Sequence, residues 1–143
     1  MSNVKFALAA AAALCIATPL AAKPMHLVEH ATTDATAHIG KDADNRGDLL
    51  TFANDVYDAA NKKKVGTDQG YCVRVVVGTS FECIWTTMLA GGQITVEGPF
   101  LDAGDSTLAV TGGTGKYATA RGEMKLHSRD AKGSEYDFEF SLK

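Results

Sequence analysis

Asn54 is the residue of this sequence whose type and position most suggest chemistry. It ends the apolar run Leu49–Ala53, where a side-chain amide is unexpected. Polar groups buried in a protein form hydrogen bonds, so they say more about function than buried apolar groups do. Five charged residues are further candidates for interior positions, although strand alternation turns most of them outward: Glu29, Arg74, Glu97, Arg121 and Glu123.

Cys72 and Cys83 lie on the two arms of a predicted hairpin around Gly78. With a two-residue turn at 77–78, paired residues have numbers that sum to 155, and the two cysteines face each other. With the turn at 78–79 the sum is 157, and they lie diagonally on one face. Either arrangement makes them neighbours, and an oxidising compartment favours a disulfide between them. Unpaired, Cys72 would be a thiol facing the interior.

The sequence predicts neither a metal site nor a cofactor. His26 and His30 would share one face of a strand, but they would lie too far apart to chelate one ion. The glycine-rich segment 112–116 lacks the first glycine of a phosphate-binding loop, and Tyr117 stands where such a loop needs Ser or Thr. The net charge of −3 argues against nucleic acid as a partner, because phosphate binding requires a basic face.

Short strands must position these residues. Tyr136, Phe138, Phe140 and Leu142 alternate with polar residues, which is the period of a strand with one buried face. Segments 32–47 and 55–64 lack such a period and are predicted to be a polar loop and an irregular connection. Many short strands are typical of a sandwich or a barrel. About eight are predicted, at 26–31, 48–54, 70–77, 81–89, 92–98, 106–111, 117–127 and 134–142.

The first 22 residues are predicted to be a cleavable signal peptide. Lys5 precedes an apolar run, Phe6–Leu20, of about 15 residues, which is short for a membrane span of about 20. Small residues follow at Ala21 and Ala22, where signal peptidase cuts. We expect a mature chain that begins near Lys23, has no stable membrane span, and is periplasmic or secreted.

Long stretches of the chain resemble two related plant families. The segments GDLLTFAN (47–54), GYCV (70–73), GQITVEGPF (92–100) and DSTLAVTGGTG (105–115) are similar to the allene oxide cyclases. The segments VGTDQG (65–70), GGTG (112–115) and ARG (120–122) are similar to the dirigent proteins. The resemblance implies an all-β fold, an eight-stranded antiparallel barrel that often assembles as a trimer. Residues 23–47 would form the first strand and the polar loop, and residues 48–143 the body of this single domain.

The resemblance also implies roles for individual residues. Asn54 and Cys72 match positions that line the cyclase pocket, with Asn54 holding a water near the substrate. Glu29 is the candidate for a first-strand carboxylate that steers delocalised charge. Phe100 stands where the cyclases have a pocket tyrosine. Asn54 and Glu29 are therefore the catalytic candidates, and the ligand-binding candidates are Cys72, Trp85, Phe100 and Arg121.

Two functions follow from these expectations. The first is an exported barrel that binds a small hydrophobic molecule, fatty-acid-derived, terpenoid or phenolic, and templates a cyclisation, an isomerisation or a stereoselective coupling. Such an enzyme would be a cofactor-independent isomerase, because holding a flexible intermediate in one conformer supplies much of the catalysis. The alternative is a non-catalytic exported surface or interaction protein that keeps the barrel without the chemistry.

Overall fold

The computed structural model describes residues 23–143, so the predicted signal peptide lies outside the described residues. Strands dominate the structure, with a single turn of 3-10 helix at Gly115–Tyr117. The strands are β1 (Lys23–His30), β2 (Ala35–Ala37), β3 (Leu49–Phe52), β4 (Asp55–Asp58), β5 (Lys64–Val76), β6 (Ser80–Leu89), β7 (Gly92–Leu101), β8 (Ser106–Gly113), β9 (Gly122–Ser128) and β10 (Glu135–Leu142).

Eight of these strands close into an antiparallel barrel, as predicted. They follow one another in the order β5, β4, β1, β10, β9, β8, β7 and β6, and pairing between β6 and β5 completes the circle. The two short strands β2 and β3 extend the sheet beside the second half of β5. Within the described residues no helix is both long and apolar enough to cross a lipid bilayer.

The lumen is packed by the residues that the alternation predicted to point inward. Phe138 and Phe140 of β10 are each 1% exposed, and Ile94, Val96 and Met124 are fully buried. Side chains from the inner faces of most strands meet in one apolar cluster, which includes Leu27, Val56, Cys72, Cys83, Trp85, Leu108, Val110, Leu126 and Phe138. Burial of this cluster is the main force that stabilises the barrel.

β5 begins earlier than predicted. The sequence pattern does not reveal its first part, because the inner face of this strand is not apolar. Gly66, Asp68, Gly70, Cys72 and Arg74 alternate along the lumen side of this strand. The hydropathy pattern therefore shows nothing strand-like before residue 70, and the prediction of a strand that begins there was wrong by six residues. A polar and glycine-rich inner face leaves space and hydrogen-bonding groups inside the barrel.

Other parts of the prediction also differ from the structure: β1 begins at Lys23, three residues earlier than predicted, and β7 and β8 extend to Leu101 and Gly113. The connection predicted at 55–64 contains β4, and the loop predicted at 32–47 contains the short strand β2. The strand predicted at 117–127 begins only at Gly122, because Gly115–Tyr117 forms a helical turn first. β2 and β4 are only three and four residues long, too short to show a period.

The hairpin register brings Cys72 directly opposite Cys83, and the two residues form a disulfide. The register in which the numbers of paired residues sum to 155 was one of the two predicted. The turn that produces it differs from the two-residue turn predicted at 77–78. Gly78 adopts the left-handed φ of +66° in a three-residue turn between Val76 and Ser80. A bulge between Arg74 and Val76 then restores the 155 register along the rest of the hairpin. Cys72 therefore presents a disulfide sulfur and not a free thiol.

The disulfide predicts the thiol content and part of the stability of the barrel domain. Residues 23–143, unfolded without reductant, should show no titratable thiol, and should show two after reduction. Replacing both Cys72 and Cys83 by Ala should lower the free energy of unfolding by about 2–3 kcal/mol, because the unfolded hairpin regains conformational freedom. Reductant should destabilise the wild type but not the variant. Two thiols in the unreduced protein would contradict the pairing.

Candidate functional site

A pocket enters the barrel at the end where β1, β7 and β9 finish and β10 begins. Its volume is about 400 Å³, a figure that includes the space open to solvent at its mouth. Two carboxyl side chains interrupt an otherwise apolar and aromatic wall. The lining residues are Glu29, Asp34, Leu50, Phe52, Cys72, Cys83, Trp85, Phe100, Leu126, Tyr136 and Phe138.

Aromatic rings in mutual contact form the rigid part of the wall. The Trp85 ring packs edge-on against Phe52, with centroids 6.0 Å apart, and lies 5.8 Å from Phe138. Phe100 makes a similar edge contact with Tyr136 at 6.0 Å. Gly70 makes room for Trp85, since a Cβ at that position would lie 2.3 Å from the Trp85 Cβ. The inward glycine of β5 thus places the largest ring in the pocket.

Asn54 lies behind the pocket wall and joins its two carboxyls. Its side-chain Nδ2 donates to Glu29 Oε1 at 2.9 Å and to Asp34 Oδ1 at 2.8 Å. Its Oδ1 accepts hydrogen bonds from the backbone N–H groups of Thr32 and Thr33, both at 3.0 Å, and from the Thr33 hydroxyl at 2.9 Å. These three donors fix the orientation of the amide, so the NH₂ group must face the carboxyls.

A break between β3 and β4 positions Asn54. The backbone N–H of Asn54 donates to the Asp68 carbonyl at 3.0 Å, and the Asp68 N–H donates back to the Asn54 carbonyl at 2.9 Å. β5 therefore keeps its pairing across the break, although Ala53 leaves the ladder and donates its N–H to the Thr33 hydroxyl at 2.8 Å. This arrangement holds the Asn54 side chain inside the barrel, where it is 1% exposed.

Glu29 and Asp68 form a buried acid pair. Glu29 is 5% exposed and Asp68 is fully buried, and Asp68 Oδ2 accepts no hydrogen bond from any N–H group or hydroxyl of the described residues. Burial, reinforced by the negative charge of Asp68, raises the pKa of Glu29 well above its usual value. Burial also raises the pKa of Asp68, to about 7. The consistent arrangement is a protonated Glu29 that donates its O–H to the Asp68 carboxylate.

The mouth of the pocket carries one carboxylate and one hydroxyl. Asp34 lies in the exposed loop after β1 and is tied to the barrel by Asn54. Tyr136 is partly buried, and burial raises the pKa of its hydroxyl to about 12, so the hydroxyl stays protonated. The space beside Gly133 is taken by that hydroxyl, since a Cβ on Gly133 would lie 2.4 Å from Tyr136 Oη.

The structure brings four of the six sequence-predicted site residues to the pocket wall: Glu29, Cys72, Trp85 and Phe100. Asn54 contacts Glu29 but does not itself line the cavity. Arg121 is exposed, and its guanidinium donates to the Ala120 carbonyl at 2.6 Å, away from the pocket. Between residues 23 and 143 no cluster of three or more His, Cys, Asp and Glu side chains is arranged to hold a metal ion.

Sequence reasoning missed Asp34, Asp68 and Tyr136 as site residues. Asp34 lies in a polar loop without an alternating hydropathy pattern. The alternation around Tyr136 predicts a strand but no role in a site. Asp68 could have been found from its flanking glycines, because Gly66 and Gly70 share its strand face and mark a place where the lumen is crowded by a neighbour.

The remaining charged candidates lie elsewhere. Glu97 and Glu123 face solvent on β7 and β9. Arg74 is 8% exposed and forms ion pairs with Asp44 at 2.7 Å and Asp102 at 2.6 Å. Its guanidinium also stacks 3.6 Å over the Phe81 ring, so it ties two loops to the barrel and does not contribute to the pocket.

Comparison with known structures finds the same barrel in proteins that act on small molecules. A pyocyanin demethylase is 26% identical, with a TM-score of 0.72 over 85% of this chain and 100% of that chain. A pterocarpan synthase dirigent protein is 17% identical, with a TM-score of 0.68 over 85% of this chain and 96% of that one. The exo-specific intermolecular Diels-Alderase AbnU is 14% identical, with a TM-score of 0.66 over 84% and 98%.

The family assignment rests on the sequence itself. The profile of the allene oxide cyclase family matches residues 28–129, which run from β1 through β9 and include Glu29, Asn54 and Asp68. This match spans well over half of the chain and agrees with the closed barrel. The protein belongs to the allene oxide cyclase family.

Proposed function

We propose that this protein is an exported barrel that binds a small, largely apolar molecule in its lumen and isomerises or cyclises it. The observation that carries the proposal is the buried acid pair, Glu29 and Asp68, at the wall of an aromatic pocket. The similar solved structures support it, since their names describe a demethylase, a pterocarpan synthase and a Diels-Alderase.

The wall acts as a mould for a flexible ligand. Trp85 packs against both Phe52 and Phe138, and the barrel holds all three rings, so we expect them to change little when a ligand enters. A ligand that fits between them loses its rotational freedom on binding, before any bond is made. Entropy removed in this way lowers the barrier of a ring closure, because the reacting atoms already lie close together.

The acid pair can move a proton. Protonated Glu29 can give its proton to one atom of the ligand, and the resulting carboxylate can take a proton from another atom. The two transfers leave the enzyme unchanged and convert the ligand into an isomer, and no oxidant or reductant is consumed. Asp68 serves as the hydrogen-bond acceptor that orients the Glu29 proton between turnovers. A carboxyl with a raised pKa suits this role at neutral pH.

Ligand binding can be measured through Trp85, the single tryptophan of the sequence, which lies in the pocket wall. Fatty-acid epoxides, polyenes and phenolics are screened by Trp fluorescence and thermal shift, and at least one class should give saturable binding. Phe100→Ala removes part of the wall and should weaken that binding about tenfold, which corresponds to about 1.4 kcal/mol of lost contact.

Ile39→Ala, in the connection between β2 and β3, where this side chain is 71% exposed, is the matched control and should bind like the wild type. If the folded protein binds no compound of any class, the proposal fails, and a non-catalytic surface or interaction protein becomes the better explanation. Equal binding by Phe100→Ala would place the ligand outside this pocket.

The acid pair also predicts an unusual dependence of stability on pH. Both pKa values are raised by folding, so the folded state holds these protons more tightly than the unfolded state does. The stabilising contribution of the Asp68 proton is complete below the unfolded pKa near 4 and is lost as the pH rises through about 7. The free energy of unfolding should therefore be about 2 kcal/mol higher at pH 5 than at pH 7.5.

Chemical denaturation at the two pH values measures this difference, and Asp68→Asn should reduce it by more than half. Four carboxyls with lowered pKa values lose their contribution only when the pH falls below about 4, outside this window: Asp48, Asp58, Asp105 and Asp130. An unchanged pH slope in Asp68→Asn would refute the shared proton.

Export and assembly as a trimer are part of the proposal. The disulfide supports export, because such bonds persist in oxidising compartments and are rare in the cytosol. Tyr71, Val76 and Val77, at the second half of β5 and the turn after it, are about half exposed. Exposed apolar residues close together on a barrel surface are typical of an interface between subunits.

Mass spectrometry of the protein recovered from the periplasm and the medium tests both points. Under denaturing conditions the mass should be that of a chain that begins near Lys23, and under native conditions it should be three times that mass. Tyr71→Asp should yield monomers with an unchanged circular dichroism spectrum, because the substitution places a charge in the interface. An uncleaved chain would refute export, and a monomeric wild type would refute the trimer.

A further inference from the structure

We infer that the ligand of this pocket is a cation: a flat, largely apolar molecule that carries a positive charge, such as an N-alkylated aromatic heterocycle. The inference rests on the proposed function and narrows its ligand class. Three features of the described residues support it: the signs of the charges around the cavity, the chemistry of the walls, and the way in which the carboxyls are held.

The ionisable side chains that line the cavity are all acids. Glu29 and Asp34 line it, and Asp68 lies directly behind Glu29. No Lys, Arg or His side chain is among the residues that line this pocket. Arg74 is committed to two other carboxylates and Arg121 points away. A carboxylate ligand would therefore find no counter-charge here, whereas a cation would meet an acidic site without a positive partner.

The walls favour a cation that is also aromatic. Trp85, Phe52, Phe100, Phe138 and Tyr136 surround the space, so a flat ligand meets ring faces and ring edges on several sides. Aromatic faces carry partial negative charge and attract cations within about 6 Å of the ring centre. A neutral ligand of the same shape gains the burial of apolar surface alone, while a cation gains this attraction as well.

The carboxyls are fixed in place before any ligand arrives. One Asn54 NH₂ group donates to both Glu29 and Asp34, and the Thr33 hydroxyl and two backbone N–H groups hold the Asn54 carbonyl. Two carboxyls are thereby kept at the same opening. A bound cation is attracted to Asp34 and favours the ionised form of Glu29, and the partly dry pocket strengthens this attraction.

Binding of a cation should also displace the shared proton. A positive charge near Glu29 and Asp68 favours their ionised forms, so their protons become easier to release. A neutral ligand of the same shape has no such effect. Proton release on binding is therefore a readout that apolar packing alone would not produce.

Three probes of nearly identical shape test the inference: 1-methylquinolinium, 1-methylnaphthalene and 1-naphthoate. Titration calorimetry and Trp85 fluorescence on the mature protein near pH 6.5 give the affinities. The cation should bind at least tenfold more tightly than either of the other two. Repeating the titration in buffers of different ionisation enthalpy should show proton release for the cation only.

Variants of the pocket distinguish the contribution of charge to binding from the contribution of apolar packing. Asp34→Asn and Glu29→Gln should each weaken binding of the cation at least threefold and leave the neutral probe unchanged. Glu97→Gln makes the same chemical change on the exposed outer face of β7 and should alter neither affinity.

Binding of the neutral or anionic probe as tightly as the cation would overturn this inference and leave the proposed ligand-binding function standing. If none of the three probes binds, the inference also fails, and the broader ligand screen then decides separately whether the pocket binds anything.

Discussion

The burial of one amide, that of Asn54, is the constraint on which the site depends. A side chain that is 1% exposed must satisfy two donors and an acceptor inside the protein, and Asn54 does so with groups from β1 and from the loop after it. The loop after β1 supplies the donors, and Glu29 and Asp34 supply the acceptors. Its backbone, paired with Asp68, brings the third carboxyl alongside. Loss of any of these contacts would leave buried polar groups without partners, which is costly in a dry lumen.

The polar inner face of β5 is the second feature on which the site depends. A strand with an apolar inner face would have filled this part of the barrel with side chains, as happens around Phe140 and Met124. Gly66 and Gly70 instead let neighbouring strands approach closely, and Trp85 occupies the space beside Gly70. Asp68 between them brings a carboxyl where the rest of the lumen has hydrocarbon. The barrel is therefore well packed along most of its length and polar at the site.

The sequence predicts the barrel well and the site only in part, for one physical reason. Alternation identified the strands with one apolar face, such as β10, and the hairpin numbering included the register that joins Cys72 to Cys83. It could not identify the first part of β5, whose inward residues are glycine and aspartate. Asp68 is far along the chain from Glu29 and Asp34, and only the closed sheet brings it beside them. Alternation of apolar and polar residues cannot predict a site whose inward-facing residues are polar or glycine.

Phe100 shows how the same barrel can carry different chemistry. The resemblance to the cyclases implies a pocket tyrosine at this position, and its hydroxyl is missing here. The neighbouring ring, 6.0 Å away, is Tyr136, whose hydroxyl lies at the mouth beside Gly133 and not within the pocket wall at position 100. The polar groups of the pocket are thereby concentrated on the Glu29 side, facing apolar rings. A ligand bound as we propose would be polar at one end only, and the proton held by Glu29 and Asp68 would meet it at that end.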